Sequence, residues 1–499
     1  MTHVGLWRKN GNTIKVRGAT TIRTRFSEYF KLNKFQAELD FVDVFIDNDT
    51  PLFVDPYVFK VRNDVWSVEC NNLIVDFFGT VIQSIRSQNH KYAKNLLERL
   101  SEPNETHLGM GKENVFGKGV SGKQAGDLFD KLKNSKAAKT GYLKDLMDCE
   151  LMIPGIGFDK ISDITTNIIR SKLIEYTQAQ CELYNIPMGN TPSGRIWNPT
   201  EKRWMNGEYT QLPIVNGRKI ILVPKYAVVI KPLLSSQELY NHEILEYIQA
   251  EHINAMSSLV EVLKNGKKRV TKKSIKERPE YKMSKEFIYD FCNKNPNVIN
   301  EYKNRKGKDA IKVADICDAD EAYVAGQLIA NLREIQPGGA QASDFHNLSF
   351  GIMEFLFFPH LMYPKKEREI HDGRKRIDIT FYNMATEGFW HTLRTSPTLA
   401  ASTIMIECKN YAADIKNPEL DQISGRFSNL RGWLGIILSR QFSNKNLFLE
   451  RCKDTAKDGR GVILCLDDDD IINMLTLIQN GQRSIIEKKL TSMYQSIVS

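Results

Sequence analysis

The sequence predicts an α/β protein whose last third folds as a mixed sheet flanked by helices. Three short runs rich in Ile, Leu and Val, at 403–406, 433–438 and 461–466, have the composition and length of buried strands. Stretches with helical periodicity, at 345–358 and 419–430, come before and between these runs. The same patterns divide the chain into an α+β region (1–235), a helical basic region (236–338) and the sheet domain (339–499).

The N-terminal region, residues 1–235, mixes both types of element. We predict strands at 39–46, 52–54 and 219–224 and helices at 71–87 and 161–183. No motif assigns this region a role, and we expect recognition or regulation. Several aspartates surround the first two strands and would either hold a metal ion or, more commonly, form turns between strands; they are Asp40, Asp43, Asp47, Asp49 and Asp55.

The glycine-rich stretch 109–122 resembles a phosphate-binding loop but departs from that motif twice. Gly117 and Gly122 have the right spacing before Lys123, whereas Gln124 stands where a magnesium-binding Ser or Thr belongs. No apolar strand precedes the loop. We therefore exclude a nucleotide-hydrolysing site and predict a mobile loop that is available to contact nucleic acid.

The middle region, 236–338, has a helical pattern that a basic run interrupts. Residues 264–278 carry eight Lys and Arg side chains against the single Glu277. Such a run either follows a phosphate backbone, where each neutralised phosphate adds a salt-dependent increment of affinity, or forms a solvated linker. The sequence Pro337-Gly338-Gly339 breaks the preceding helix and marks the start of the last domain.

Composition restricts the partners and the compartment. The formal net charge of +9 is compatible with a polyanionic partner. No apolar segment approaches the roughly 20 residues that cross a bilayer, so we expect no membrane contact. The eight cysteines show no CxxC pair and no zinc spacing, which predicts a reduced, cytoplasmic protein.

A Glu-x-Lys pair directly follows the apolar run 403–406. Alternate side chains of a strand share one face, so Glu407 and Lys409 point the same way and Cys408 points into the opposite layer. Asp378 lies in a predicted strand, 375–382, and adds a second carboxylate if the two strands are neighbours. Two carboxylates can hold Mg²⁺, and the lysine can orient the attacking water or neutralise developing charge. These residue types suit phosphodiester hydrolysis.

Context separates this pair from the other Glu-x-Lys copies in the chain. Those copies lie in polar, charge-rich segments without an apolar strand before them, which predicts solvated faces; they are Glu280/Lys282, Glu301/Lys303 and Glu487/Lys489. Glu407 and Lys409 follow a buried-strand pattern and precede a loop and a predicted helix.

With these residues in place, the segment from about 343 to 471 resembles the PD-(D/E)XK, or restriction-endonuclease-like, superfamily of nucleases. The resemblance implies a core of one helix, three strands that carry acidic residues, a second helix and a further strand. It implies that Asp378 and Glu407 bind the metal, that the main-chain carbonyl of Cys408 completes the shell, and that Lys409 positions or activates water. It also implies an acidic contribution from Glu354 on the first helix, which would otherwise snorkel or pair with a lysine.

The choice of Asp378 has a rival. The insertion 383–402 separates Asp378 from Glu407 by more than a tight hairpin would, which brings Asp372 into consideration. We prefer Asp378 because it lies between two isoleucines of a strand, whereas Asp372 precedes Gly373 and has the ordinary explanation of a turn residue.

The predicted second helix carries Gln422 and Arg426, four residues apart and therefore on one face. Gln422 matches a glutamine that several superfamily members place near the site, but those members have tyrosine where this chain has Arg426. The arginine is therefore either a phosphate contact or a surface side chain.

The acidic run 467–470 is interpreted as a strand end and helix N-cap, because four adjacent aspartates cannot all face one ion.

The function expected from these residues is Mg²⁺-dependent hydrolysis of phosphodiester bonds in DNA, with Mn²⁺ as a substitute metal. A nuclease domain fused to a large domain of unassigned role resembles prokaryotic restriction and anti-phage defence proteins, in which the extra domain recognises target or trigger. A homo-oligomer or a partner protein of a defence system fits the same picture. Two alternatives stay open: a catalytically silent DNA-binding or assembly module, and a structure-specific or RNA-directed nuclease.

Overall fold

The computed structural model describes residues 24–110, 122–309, 320–370, 375–412, 415 and 417–499. Contacts divide the chain into two compact units, whose boundaries differ from those predicted at 235 and 338. The large unit comprises 22–30 and 44–314, and the sheet unit contains the described residues of 31–43 and 315–499. Within the described ranges, no helix is long and apolar enough to cross a membrane.

The large unit is built mainly of helices. The helix predicted at 71–87 is confirmed, and it begins earlier because the carboxylate of Asp64 caps it by accepting from the Ser67 N–H at 2.8 Å. The helices of this unit are α1 (Phe26–Tyr29), α2 (Pro56–Val61), α3 (Val65–Arg86), α4 (His90–Glu98), α5 (Gly122–Asn134), α6 (Lys136–Thr140), α7 (Met147–Met152), α8 (Phe158–Ile168), α9 (Arg170–Leu183), α10 (Ser236–Glu238), α11 (Leu245–Asn254), α12 (Lys272–Lys276), α13 (Lys285–Lys294) and α14 (Pro296–Asp309).

Short antiparallel strands complete the large unit. They pair as β1 with β7, β2 with β5 and β5 with β6, β3 with β4, and β8 with β9. Their bounds are β1 (Phe53–Val54), β2 (Met188–Pro192), β3 (Ile196–Asn198), β4 (Arg203–Met205), β5 (Tyr209–Val215), β6 (Arg218–Lys219), β7 (Val228–Val229), β8 (Glu261–Val262) and β9 (Lys268–Arg269). The strand predicted at 52–54 is therefore confirmed as β1.

The prediction of a strand at 39–46 is wrong. The side chain of Gln36 replaces a neighbouring strand there, since it donates to the Phe41 carbonyl at 2.8 Å and accepts from the Asp43 N–H at 2.7 Å. The prediction of one helix at 161–183 is also wrong, because the chain turns at Ile169 between α8 and α9. The strand predicted at 219–224 ends its ladder at Lys219, and the buried residues that follow find hydrogen-bond partners elsewhere in the unit.

The sheet unit contains the predicted mixed sheet, in the order β10-β11-β12-β13-β14. The first three strands are antiparallel neighbours, and β12, β13 and β14 run parallel. The strand bounds are β10 (Leu361–Ile370), β11 (Lys375–Asn383), β12 (Thr403–Lys409), β13 (Leu434–Ser439) and β14 (Val462–Leu466). The helix bounds are α15 (Glu321–Glu334), α16 (Ala342–Phe357), α17 (Gly388–Thr395), α18 (Asn417–Ser424), α19 (Lys445–Lys457), α20 (Asp468–Gln479) and α21 (Ile485–Val498).

Helices α16 and α18 cover opposite faces of this sheet. Phe350 of α16 stacks on Phe381 of β11, with ring centroids 6.0 Å apart. On the other face, Gly435 of β13 lies so close to Ile423 of α18 that a Cβ at this glycine would meet the isoleucine side chain at 2.5 Å. Since side chains alternate along a strand, Phe381 and Gly435 identify which residues of β12 face each helix.

Helix α15, predicted to lie in the middle region, belongs to the sheet unit. It packs on α20, and its C-terminal end is held by the buried side chain of Arg440. The guanidinium donates to the carbonyl oxygens of Leu332 at 3.2 Å and Ile335 at 2.7 Å. These bonds satisfy carbonyl oxygens that have no partner within the helix at its C-terminal end. The domain boundary predicted at 338 would therefore separate α15 from Arg440 and from α20.

The acidic run 467–470 is a strand end and a helix N-cap, as predicted. Asp467 caps α20 by accepting from the Asp470 N–H at 3.0 Å, and the Asp470 carboxylate accepts from the Asp467 N–H at 3.3 Å. Lys445 donates to Asp467 at 2.7 Å and also pairs with Asp470.

Candidate active site

The ladder between β11 and β12 sets Asp378 against Glu407. Ile379 pairs with Ile406 in this antiparallel ladder, and one further step along it brings the two acidic residues opposite each other. Directly opposite residues of neighbouring strands project to the same face. The insertion that raised doubt about this pair contains α17 and returns the chain to the same ladder. The rival Asp372 lies outside the described residues.

Glu407 is an entirely buried carboxylate held by two cations. Its side chain is 0% exposed. The Lys409 ammonium lies 3.3 Å from Oε2, and the Arg426 guanidinium forms an ion pair with Oε1. A carboxylate this deep in a protein requires such partners, because its hydration is lost.

Lys409 connects the carboxylate to the second helix. It lies at the end of β12 on the same side as Glu407, and its ammonium donates to Gln422 Oε1 at 3.1 Å. Gln422 is exposed on α18, so its side chain lies on the side of the site that faces solvent. The structure therefore brings together Asp378, Glu407, Lys409 and Gln422.

Arg426 does not lie on the second helix, contrary to the sequence prediction. The helix ends at Ser424. Arg426 sits in the turn beyond and is 5% exposed. Burial lowers the pKa of its guanidinium, and the charge of Asp378 acts in the opposite direction. Of the two alternatives for Arg426, the surface side chain is therefore wrong, and the phosphate contact stays a prediction.

His346 is a member of this cluster that the sequence interpretation missed. Its Nε2 donates to the Cys408 carbonyl at 3.0 Å and lies 3.8 Å from Asp378 Oδ2. The only sequence signal was a histidine near the start of a predicted helix, here α16, and its reach to β12 depends on tertiary packing.

Cys408 points away from the carboxylates, as strand alternation predicts. Its side chain is buried on the α16 side of the sheet, and this burial raises the pKa of the thiol well above its usual range. A thiol in this state is a packed core group, so only the main-chain groups of Cys408 face the site.

Glu354 also comes from the α16 layer, on the face opposite Glu407. Its side chain is 0% exposed. The hydrogen bonds and ion pairs described above join Asp378, Glu407, Lys409 and Gln422 without it. A supporting role for Glu354 remains a prediction.

The oxygen atoms in the cluster are of the kind that Mg²⁺ prefers. Asp378 and Glu407 offer carboxylates, and the Cys408 carbonyl can accept a second interaction beside that from His346. In the part of the chain that the structure describes, no group of three or more His, Cys, Asp or Glu side chains could hold a metal ion. The cluster thus offers two carboxylates and one main-chain oxygen, a donor set whose chemistry suits Mg²⁺.

The aspartates near the first predicted strands, all of them within the described ranges, form no group of three side chains that could hold a metal ion. Asp55 instead caps α2, accepting from the N–H groups of Tyr57 at 2.8 Å and Leu233 at 3.0 Å. For one of the other Glu-x-Lys copies, the prediction of a solvated face is wrong: Lys303 is partly buried and pairs with Asp145 and Asp148. Residues 111–121 of the glycine-rich stretch lie outside the described residues.

Residues 31–235 match a family described as a Domain of unknown function (DUF8370). No curated protein and no solved structure matches the chain. The matched residues exclude every member of the Asp378–Glu407 cluster. The candidate site therefore depends on its own geometry.

Proposed function

We propose that the sheet unit is a metal-dependent nuclease of the restriction-endonuclease-like type that hydrolyses phosphodiester bonds of DNA. One observation carries the proposal: Asp378 and Glu407 stand opposite each other on neighbouring strands, with Lys409 beside Glu407. The order of α16, three antiparallel strands, α18 and a parallel β13 supports it, since this is the order of the superfamily core.

In this proposal Asp378, Glu407 and the Cys408 carbonyl would hold Mg²⁺ or Mn²⁺. When bound, the ion would polarise the scissile phosphate and make a water ligand more acidic. Lys409, oriented by Gln422, would place its ammonium beside that water and the developing negative charge. His346 would fix the Cys408 carbonyl through its hydrogen bond.

DNA as the substrate, and a role in restriction or anti-phage defence, follow from the resemblance and the architecture. The net charge of +9 supports a polyanionic partner. The cysteines described here are free thiols, which supports a cytoplasmic site of action. Association with another copy or with a defence-system protein belongs to the same proposal.

A second candidate is a catalytically silent nucleic-acid-binding module. The ion pair between Arg426 and Glu407 favours it, because a carboxylate neutralised by arginine needs no metal.

One experiment, metal-dependent cleavage of nucleic acid, distinguishes the two functions. The full-length protein is incubated with plasmid, linear duplex, single strands and RNA, with Mg²⁺ or with EDTA. Metal-dependent cleavage of DNA supports the nuclease, and binding without cleavage under every condition supports the silent module.

A further inference from the structure

Arg426 places a positive charge where the proposed nuclease would hold its metal. The guanidinium forms an ion pair with Glu407 and is buried, and the β11–β12 ladder sets Asp378 opposite that same glutamate. We propose that Arg426 is an internal counter-ion that occupies the metal position between Asp378 and Glu407 and leaves it when a divalent ion binds. This inference rests on the proposed function.

Charge balance supports the competition. Two carboxylates, Asp378 and Glu407, face two cations, Lys409 and Arg426, so the cluster is neutral without a metal. A divalent ion added beside both cations would be repelled by each. Withdrawal of one cation therefore changes metal affinity strongly, and Lys409 is tied to Gln422.

The local structure allows the side chain to move while the backbone stays fixed. The Arg426 N–H donates to the Ile423 carbonyl at 3.0 Å, and its own carbonyl accepts from Arg431 Nε at 2.8 Å. Both bonds use backbone atoms of Arg426, so its guanidinium takes part in neither. A guanidinium released from Glu407 has the fork geometry that binds a phosphate group.

It follows that nucleic acid and metal bind cooperatively. A backbone phosphate would draw Arg426 away from Glu407, and the carboxylate would then accept the ion. Without nucleic acid, the arginine keeps metal affinity low. Coupling of this kind is reciprocal, so metal also tightens nucleic-acid binding.

The test is a Mn²⁺ titration of the full-length protein without nucleic acid, in which free Mn²⁺ is followed by electron paramagnetic resonance. Arg426→Gln should bind Mn²⁺ at least tenfold more tightly than the wild type. Arg460→Gln removes an exposed arginine that pairs with Asp421 and should leave the affinity unchanged. Adding Glu407→Gln to Arg426→Gln should abolish the gain.

Thermal unfolding provides the second readout. Arg426→Gln leaves a buried carboxylate without one of its two cations, so it should melt at a lower temperature than the wild type in EDTA. Mn²⁺ should raise the melting temperature of this variant more than that of the wild type. If Arg426→Gln does not fold, Arg426→Lys, whose shorter ammonium cannot span both carboxylates, should bind Mn²⁺ more tightly than the wild type.

Equal or weaker Mn²⁺ affinity in the arginine variants overturns the inference, and so does a complete lack of Mn²⁺ binding. Neither result requires a cleavage assay. A wild type that cleaves DNA while the variants bind Mn²⁺ as it does would overturn only the role of Arg426. A protein that cleaves nothing while Arg426→Gln gains affinity would overturn only the nuclease.

Discussion

The carboxylate of Asp378 accepts a hydrogen bond of 3.0 Å from the backbone N–H of Cys408. Cys408 is the residue between Glu407 and Lys409. This bond fixes one acidic side chain of β11 against the β12 segment that carries the other two predicted catalytic groups. The carboxylate of Asp378 thus has a defined position before any ligand arrives. A site that depends on two carboxylates and a lysine benefits from such preorganisation.

Substitutions at the three residues should abolish cleavage without unfolding the chain. Glu407→Gln and Asp378→Asn keep the shape but remove charge that would hold the metal, and Lys409→Ala removes the ammonium beside the water. Each should lower kcat/KM for DNA cleavage by about 100-fold or more. The measurement is plasmid cleavage in Mg²⁺, with melting temperatures recorded for each variant.

The matched controls come from Glu280/Lys282, one of the other Glu-x-Lys copies in the chain. Glu280→Gln and Lys282→Ala change the same residue types on an exposed segment of the large unit and should leave cleavage unchanged. Asp372→Asn should be mild if Asp378 is the carboxylate that matters. A Glu407→Gln protein that cuts as well as the wild type would refute the catalytic assignment.

The sheet was predictable where its strands are continuous apolar runs. Strands β12, β13 and β14 are buried on both faces, and most of their positions are apolar. Strand β10 was not assigned, because an edge strand has a different pattern. Its segment contains Pro364 and several charged residues, and the ladder to β11 is interrupted between Met362 and Lys365. Proline is tolerated at such an irregular edge.

The candidate site was predictable only where neighbouring strands decide it. The positions of Asp378, Glu407 and Lys409 follow from alternation and one ladder. Those of His346 and Arg426 do not, since each depends on the direction from which a long side chain approaches. The sequence also does not predict that residues 31–43 belong to the sheet unit. Contacts such as that between the Lys34 ammonium and the Asn347 carbonyl join residues that are far apart in sequence.

Helix α15 should be needed for full stability of the sheet unit. A fragment that begins at 339 lacks this helix and leaves the buried guanidinium of Arg440 without its carbonyl partners on Leu332 and Ile335. We expect a fragment of residues 315–499 to melt cooperatively, and at a higher temperature than 339–499. Circular dichroism of the two fragments makes the comparison. Identical melting curves would show that the boundary predicted at 339 was sufficient.

The basic hairpin formed by β8 and β9 should contribute to nucleic-acid binding. Every residue from Glu261 to Arg269 is exposed, including Lys267 and Lys268, whereas Lys272 on α12 pairs with Glu246 at 2.7 Å. A cation that contacts a phosphate releases a counter-ion, so its loss should reduce the slope of log affinity against log salt by about 0.9. Alanine at 267, 268 and 269 together should flatten the slope and change the melting temperature little.

The control for the hairpin is a double alanine variant at Lys272 and Lys273, which lie in the same basic run but on α12. It should change the salt slope less. Binding is measured by fluorescence anisotropy in the Glu407→Gln background, so that cleavage does not interfere. An unchanged slope in the triple variant would assign the run to a solvated linker.

Asp163 should make the large unit less stable as pH rises. Burial on α8 raises the pKa of its carboxyl to about 7, and the negative charges of Glu102, Asp159 and Asp49 act in the same direction. In the unfolded chain the carboxyl titrates near 4. Between these values the folded state binds more protons than the unfolded state, so this group's contribution to stability is lost as pH rises from about 4 to about 7.

Asp163→Asn removes this dependence, because the amide is neutral throughout. The gain in stability of the variant over the wild type should be larger at pH 8 than at pH 5, by about 2–3 kcal/mol, because about two pKa units of the loss lie above pH 5 and each is about 1.4 kcal/mol. Differential scanning calorimetry at the two pH values measures the difference. Asp290→Asn changes a half-exposed aspartate of the same unit and should shift stability equally at both. If the stability that Asp163→Asn gains over the wild type does not grow with pH, the ionised carboxylate of Asp163 is stabilised in the folded protein, and the prediction is wrong.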